Sequence, residues 1–293
     1  MTTTHTSAEI VEQEGVLVGP LREPRNLAAN VAGSIHDDSQ AQKLGFRGGT
    51  VAGSIHMEQF PPLLLQAFGQ RWFETGSLST YFRNATMDRE RVRAFAEVPS
   101  SDSNVQVNVW MDREDDMRVL EGTASVGTPS EPSMLRRKLA EPREPGDQRI
   151  LGHLSPGEVG APITVRLADD REAKARLAAI TEPLDWYTGT SPWGSPVVNP
   201  GLLVRMMVEV QRRIALPGDA VGLYGAIEIR HLAGPVFADR DYEVSGRIHA
   251  IGQTPKTEYL WYETTMREGV TDVASMLMML RFMKASSPQW AER

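Results

Sequence analysis

Alternating apolar and polar positions dominate the second half of the chain. Three stretches there have this period of two residues and are bounded by glycine, proline or aspartate: GLYGAIEIRHLAGPVFADRDYEVSGRIHAIG, TEYLWYETTMREG and TDVASMLMMLRFMK. The period is typical of strands that place one face in the core. The first half has a similar succession in STYFRNATM, DRERVRAFAEVPS, NVQVNVWMDRED and MRVLEGTASVG. Each half is therefore predicted to contain three or four long antiparallel strands.

An apolar helix is predicted before each set of strands. In the second half, PGLLVRMMVEVQRRIAL has Leu202, Met206, Val210 and Ile214 at helical spacing. In the first half, HMEQFPPLLLQAFGQRWF contains two consecutive prolines, which fit only a first helical turn or a kink. Because a sheet that wraps around one apolar helix buries both elements, each half is predicted to be an α+β unit.

A stretch with little periodicity separates the two halves. It lies between Val126 and Gly160 and is rich in proline, glycine and charged residues, which is typical of a linker. We expect an N-terminal domain over residues 1–128, a linker over residues 129–160 and a C-terminal domain over residues 161–293.

Composition narrows the classes of function. The net charge of −7 argues against nucleic-acid binding, and the absence of cysteine excludes thiolate nucleophiles and cysteine-based metal sites. The polar start MTTTHTSAEIVEQEG is not a secretory signal. No stretch approaches the roughly 20 apolar residues that a bilayer span requires. We therefore expect a cytoplasmic protein with neither nucleic-acid nor membrane partners.

The hexapeptide VAGSIH occurs twice, twenty residues apart, and ends in His36 and in His56. Two histidines of one metal site would need a third ligand, and no recognisable ligand spacing is present, so we expect no metal. A serine nucleophile in either copy would lack the G-x-S-x-G turn. His56, at the start of the predicted first helix, is expected to be a structural residue.

The run IHDDSQAQKLGFRGGTVAGS resembles the signature region of the MaoC-like hydratases and dehydratases. The matching positions are Ile35, His36, Asp38, Ala41, Gly45, Phe46 and Gly53. The stretch PVVNPGLL resembles the start of a second such helix, with Gly201 at the position of Gly53. The resemblance covers most of the chain beyond about residue 25, the linker apart. It implies a double hot-dog fold, in which two antiparallel sheets each wrap a central helix and pack as a pseudo-dimer.

The resemblance implies catalysis on an acyl thioester of coenzyme A or of an acyl carrier protein, with no cofactor. The family's Asp–His pair activates water, but its aspartate falls on Val31, which has no ionisable group. His36 is then the candidate base, with Asp37 or Asp38 as the nearest acids. The N–H of Gly53 is the candidate oxyanion donor, although this glycine also fits a purely packing role.

Substrate contacts are expected from Phe46 and Ser54 in the first half. The stretch DWYTGTSPWGSPV has no histidine but offers Trp186, Tyr187 and Trp193 as cavity walls. The candidate partners of a carrier phosphate are Arg83, Arg230, Arg281 and Lys284. The run SMLMMLRFM fits either strand core or an acyl tunnel, since methionine fills irregular space.

The absent aspartate leaves three functions open. The first is a hydratase or dehydratase in which His36 works alone or with a substitute carboxylate. The second is a non-catalytic hot-dog protein that binds an acyl chain, and the third is a repurposed isomerase or cyclase of a secondary pathway. Because two hot-dog halves in one chain already make a pseudo-dimer, we expect either a monomer or a homodimer.

Overall fold

The computed structural model describes residues 10–100, 103–141, 146–167 and 171–291. Its helices are α1 (Asp38–Lys43), α2 (Gly53–Met57), α3 (Pro61–Phe68), α4 (Arg71–Thr75), α5 (Met134–Ala140), α6 (Arg171–Ala179) and α7 (Pro200–Met207). Its strands are β1 (Val11–Gln13), β2 (Val16–Val18), β3 (Gly76–Phe82), β4 (Val92–Glu97), β5 (Val105–Arg113), β6 (Arg118–Val126), β7 (Gly157–Glu158), β8 (Ile163–Val165), β9 (Gly222–His231), β10 (Tyr242–Gln253), β11 (Thr257–Glu268) and β12 (Thr271–Met283). Four 3-10 helices cover Asp185–Tyr187, Val208–Arg213, Lys284–Ser286 and Pro288–Trp290.

The described strands form one antiparallel sheet that runs through both halves. Their order is β1-β2-β4-β5-β6-β3-β9-β12-β11-β10-β7, and β8 also pairs with β10. The halves meet where β3 pairs with β9, from Ser77 opposite Arg230 to Tyr81 opposite Ala226. The hydroxyl of Thr80 adds a 3.0 Å hydrogen bond to the carbonyl of Ile227 across this join. The two halves are therefore held together by backbone pairing.

The core lies between the central helices and one face of the sheet. Leu64 of α3 and Leu203 of α7 are fully buried there, as is Met276 of β12. The helix predicted over residues 56–73 is interrupted, because Pro61 has no N–H to continue the preceding turn and instead begins α3. In the second half, α7 ends at Met207 and continues as the 3-10 helix Val208–Arg213. This arrangement agrees with the predicted α+β units.

The segment predicted as a linker crosses the opposite face of the sheet. Its helix α5 buries Leu135 against Trp261 and Leu277, whose side chains alternate with those of the core face. Arg136 of α5 forms ion pairs with the buried Glu228, at 3.1 Å, and with Glu263. Residues 134–140 are therefore attached to the sheet by apolar contacts and by charge.

The helices in the described ranges are all too short or too polar to cross a membrane.

Candidate active site

A cavity of about 800 Å³ opens between the two halves. The N-terminal half contributes the loop that carries His36, the start of α2 and the turn that follows β3. The C-terminal half contributes Gln211, Tyr224 and the end of β12. Ligand pockets typically have volumes of about 300–1,000 Å³, so this cavity is large enough for a substantial organic ligand.

His36 lies half-buried in the wall of this cavity. Its Nδ1 atom is 2.7 Å from the carbonyl oxygen of Thr50. Because a carbonyl oxygen only accepts, Nδ1 must carry the proton of the neutral ring, and Nε2 holds the basic lone pair. Nε2 has no hydrogen-bond partner among the residues that the structure describes. The ring is therefore set in the tautomer that a general base requires.

Three residues, Asn26, Thr50 and Gly49, contact the backbone at Ile35 and His36. Asn26 Nδ2 donates to the His36 carbonyl at 2.8 Å, and the N–H of Thr50 donates to the Ile35 carbonyl at 2.9 Å. Gly49 lies so close to the His36 carbonyl that a Cβ at position 49 would overlap it. The roles of Asn26, Gly49 and Thr50 are not visible in the sequence, because they depend on contacts between residues that are distant along the chain.

The two aspartates that follow His36 have structural roles. Asp38 Oδ1 accepts a 2.6 Å hydrogen bond from the N–H of Gly49, and Asp38 does not line the cavity. Asp37 caps α1 by accepting from the N–H groups of Ser39 and Gln40, and the Ser39 side chain contributes most to lowering the pKa of the Asp37 carboxyl. The Thr50 carbonyl, and neither carboxylate, is the group that orients the His36 ring.

Val31 lies on an exposed turn outside the cavity lining. It is 54% exposed, and its carbonyl accepts from the hydroxyl of Ser34 at 2.7 Å. The position at which the resemblance implies an acid is therefore directed largely to solvent in this chain.

Gly53, the candidate oxyanion donor, and Phe46, a candidate substrate contact, both line the cavity. Gly53 begins α2, so its N–H has no partner within the helix. The ring of Phe82 covers this glycine so closely that a Cβ would overlap it. Close packing thus accounts for glycine at position 53 even without a ligand.

His56 lines the same cavity, although its sequence pattern indicates only a structural residue. Its Nε2 lies 2.8 Å from the hydroxyl of Thr86, and its buried Nδ1 has no partner within the described ranges. Burial lowers the pKa of His56 to about 4. The side chain is therefore neutral at pH 7.

Ser54 lies apart from the cavity lining. Its hydroxyl accepts a 3.0 Å hydrogen bond from Nη2 of Arg176, which also pairs with the buried Glu58. Burial raises the pKa of the Glu58 carboxyl, and Arg176 opposes that shift. Ser54 therefore belongs to a buried polar contact between α2 and α6.

The aromatic residues expected as cavity walls form a separate cluster. The rings of Trp186 and Trp193 lie 5.7 Å apart and pack on Phe73 at 5.8 and 6.1 Å. Trp193 Nε1 donates to Glu74 at 3.0 Å, and Tyr187 is buried. Trp186, Tyr187 and Trp193 all lie outside the cavity lining, and the two tryptophans pack on Phe73 of the first half instead.

Three cations line the cavity, whereas the described lining contains no carboxylate. Arg83 pairs with Glu121, and Arg281 donates to the hydroxyl of Tyr81 at 2.6 Å. Lys256 is exposed. In a chain of net charge −7, a cavity wall with cations and without acids favours an anionic ligand. In the described ranges, no group of three or more histidine, aspartate and glutamate side chains is placed to hold a metal ion.

Solved structures with a similar fold cover nearly the whole chain. One is described as a MaoC domain protein dehydratase from Chloroflexus aurantiacus J-10-fl, with 13% identity, a TM-score of 0.59 and coverage of 96% of this chain and 99% of that chain. A MaoC-like dehydratase has 12% identity, a TM-score of 0.53 and coverage of 92% and 98%. A Mycobacterium tuberculosis protein described as having a double hotdog fold has 12% identity, a TM-score of 0.53 and coverage of 93% and 96%.

No protein-family model matches the chain, and no curated protein matches it. At identities of 12–13% the structural likeness establishes the fold. The chain therefore has the double hot-dog fold found in MaoC-like dehydratases, as its sequence predicts.

Proposed function

We propose that this protein acts on an acyl thioester, carried by coenzyme A or by an acyl carrier protein, with His36 as the general base. The observation that carries the proposal is the 2.7 Å contact between His36 Nδ1 and the Thr50 carbonyl in the wall of the cavity. A positioned base with its lone pair available is the minimum requirement for adding water to, or removing it from, an enoyl thioester.

Hydration can proceed with this one base. His36 Nε2 takes a proton from water as the water oxygen bonds to the β-carbon, and the double-bond electrons move toward the thioester carbonyl. The Thr50 carbonyl stabilises the imidazolium by accepting its Nδ1–H. The same Nε2 then returns the proton to the α-carbon, so the catalyst is regenerated and one water is added; dehydration is the reverse. The N–H of Gly53 is the proposed donor to the carbonyl oxygen while it carries negative charge.

The rest of the cavity supports a substrate with an apolar chain and an anionic carrier. Leu223, Leu280 and Phe282 supply apolar wall, which fits an acyl chain. The cations Arg83 and Lys256 belong to the same lining and fit the phosphates of a carrier. Solved structures described as MaoC-like dehydratases share the fold, which favours the same reaction class here.

The second candidate function is binding of an acyl thioester without turnover. It is favoured by the lack of a carboxylate in the described lining, because the related enzymes are expected to pair their histidine with an acid. An isomerase or cyclase would likewise use His36 and the cavity but would add no water. The same lack argues against a substitute carboxylate as the partner of His36.

A hydration assay distinguishes these functions. Wild-type protein would be mixed with trans-2-enoyl thioesters, beginning with the crotonyl thioester, and the loss of the enoyl thioester absorbance would be followed. Binding of the corresponding saturated thioester would be measured by calorimetry. Turnover with binding supports the hydratase, and binding without hydration supports the acyl-binding protein or an isomerase or cyclase. The absence of both turnover and binding contradicts the proposal.

A further inference from the structure

Gln211 lines the cavity from the 3-10 helix Val208–Arg213. Its Nε2 donates to the hydroxyl oxygen of Tyr262 at 2.7 Å, and that hydroxyl donates to Met278 Sδ at 3.0 Å. Gln211 Nε2 also lies 3.9 Å from Met278 Sδ, and a thioether sulfur only accepts. The amide nitrogen thus faces two acceptors, the Tyr262 oxygen and the Met278 sulfur, which sets the orientation of the amide group.

That orientation leaves Gln211 Oε1 as an acceptor beside the cavity. The atom has no hydrogen-bond partner in the described part of the chain and is not sealed from solvent. Tyr262 itself is fully buried and does not line the cavity. Tyr262 therefore positions the Gln211 amide by a hydrogen bond on the side away from the cavity.

Tyr224 supplies a hydroxyl to the same region. It lines the cavity, and its hydroxyl has no partner among the described residues. Burial raises the pKa of Tyr224, and burial together with the nearby Tyr224 raises the pKa of Tyr262. Tyr262 lies opposite Met278 and Tyr224 lies opposite Leu280, on the two sides of β12, so the two tyrosines are neighbours on the sheet. Tyr224 stays protonated as a hydrogen-bond donor at neutral pH.

Apolar residues line the cavity beside these two polar groups: Leu216, Pro217, Ala220 and Leu223. A plain hydrocarbon chain in this region would displace water from Gln211 Oε1 and give no hydrogen bond in return. A ketone would satisfy Tyr224 alone. A hydroxyl can donate to Gln211 and accept from Tyr224, so it satisfies both groups.

We propose that Gln211 and Tyr224 form a subsite for a hydroxyl group carried by the acyl chain beyond its reacting carbons. This subsite would make the substrate of the proposed function an oxygenated acyl thioester. The inference therefore rests on the proposed function. Sites built to hydrogen-bond a substrate hydroxyl discriminate strongly against the analogue that lacks it.

Calorimetry with acyl chains saturated at the 2,3-position tests the subsite apart from catalysis. The reference ligand has an unsubstituted acyl chain. It would be compared with a series of isomers, each with a single hydroxyl on a different carbon beyond the third. Every chain would be titrated both as its coenzyme A thioester and as its pantetheine thioester. One hydroxylated isomer is expected to bind wild-type protein about tenfold more tightly than the unsubstituted chain, a difference of about 1.4 kcal/mol.

Three variants assign that preference. Gln211→Met keeps the length of the side chain without its acceptor and is expected to abolish the preference, because the hydroxylated chain loses a hydrogen bond and the unsubstituted chain no longer covers an unpaired acceptor. Tyr262→Phe, outside the cavity, is expected to weaken the preference because the amide loses its anchor. Gln106→Met changes a half-buried glutamine outside the cavity and should leave the preference intact.

The outcomes separate the subsite from the proposed function. Equal affinity of the wild type for the unsubstituted chain and for every hydroxylated isomer, or a preference that persists in Gln211→Met, would overturn the subsite while acyl binding still stands. Failure of every thioester to bind would overturn the proposed function and the subsite with it.

Discussion

Thr50 binds both residues of the Ile35–His36 pair through its own backbone. Its N–H donates to the Ile35 carbonyl at 2.9 Å, and its carbonyl accepts from His36 Nδ1 at 2.7 Å. Its hydroxyl adds a second donor to Ile35 at 3.2 Å. One residue thus fixes the position of the loop and the tautomer of the ring, and the following predictions depend on that arrangement.

Substitution of Gly49 should impair catalysis more than folding. In Gly49→Ala the new Cβ overlaps the His36 carbonyl, so the loop must move. We expect kcat/KM for enoyl thioester hydration to fall by about tenfold to a hundredfold, because small displacements of a catalytic group have effects of this size. Overpacking of this kind costs about 1–3 kcal/mol of unfolding free energy, which urea denaturation measures.

Gly218→Ala is the matched control, since a Cβ at position 218 has no atom within 4 Å. Wild-type kinetics in Gly49→Ala would show that the close approach of this glycine does not position His36.

We predict that the Asp38 side chain stabilises the His36 loop and takes no part in catalysis. Its Oδ1 accepts from the N–H of Gly49, and an asparagine oxygen can replace that acceptor. Asp38→Asn is therefore expected to keep kcat/KM within about threefold of wild type, whereas Asp38→Ala is expected to lose about 1 kcal/mol of unfolding free energy. A loss of about a hundredfold in kcat/KM for Asp38→Asn would instead identify this carboxylate as a catalytic acid.

The cation Lys256 should act on substrate binding rather than on the chemical step. Its exposed side chain lines the cavity, where it can meet a carrier phosphate. For a coenzyme A thioester, Lys256→Ala is expected to raise KM by about twofold to fivefold and to leave kcat unchanged, since an exposed charge pair contributes up to about 1 kcal/mol. For a pantetheine thioester, which has no phosphate, KM should not change.

Lys174→Ala, on the exposed side of α6, controls for the general loss of a positive charge. An equal effect of Lys256→Ala on both thioesters would rule out a phosphate contact.

Two buried histidines should make the folded state sensitive to acid. Burial lowers the pKa of His56 and of His231 from 6.5 to about 4. Between these values the unfolded chain binds protons that the folded chain does not, so the free energy of unfolding rises with pH. Above about pH 6.5 the two histidines are neutral in both states and the free energy of unfolding is at its full value. As the pH falls from about 6.5 toward about 4, the free energy of unfolding decreases by up to about 1.4 kcal/mol per pH unit for each histidine.

Urea denaturation of wild type and of His231→Phe between pH 4.5 and pH 7 tests this dependence. His231 lies among aromatic rings, 5.5 Å from Trp72 and 5.9 Å from Phe73, so phenylalanine fits its surroundings. The variant should lose less stability on acidification than the wild type does. Identical slopes would mean that His231 is protonated without cost in the folded state.

The strands were predictable because their pattern is local. The alternation in β10 is visible in the sequence and corresponds to the burial of one face. β12 is instead buried along nearly its whole length, because Leu277 and Met279 on its other face pack with Leu135 of α5. The break before α3 also has a local cause, the proline at position 61. By contrast, α5 is a short helix in a proline-rich segment, and Leu135 is stabilised there by contacts with the sheet that no local pattern indicates.

The candidate site was only partly predictable from the sequence. His36, Phe46 and Gly53 line the cavity, and each lies in the stretch that carries the family resemblance. Thr50 and Gln211 acquire their roles from partners 14 and 51 residues away, which sequence spacing does not reveal.

For Trp186, Tyr187 and Trp193, residue type is the only feature of the sequence that indicates a cavity wall. The structure places Trp186 and Trp193 against Phe73, because a large apolar ring packs equally well in a core or in a binding site. Residue type therefore identified the chemistry that these side chains offer but not where they lie.

The role of His36 as the base is tested most directly by kcat/KM for enoyl thioester hydration in His36→Ala, with His153→Ala as the control. His153 is exposed, binds the carbonyl of Ala215 at 2.7 Å and lies outside the cavity. If His36 is the base, kcat/KM in His36→Ala falls by about a hundredfold or more, binding of the saturated thioester is retained, and His153→Ala is as active as the wild type. Unchanged turnover in His36→Ala would show that His36 is not the base.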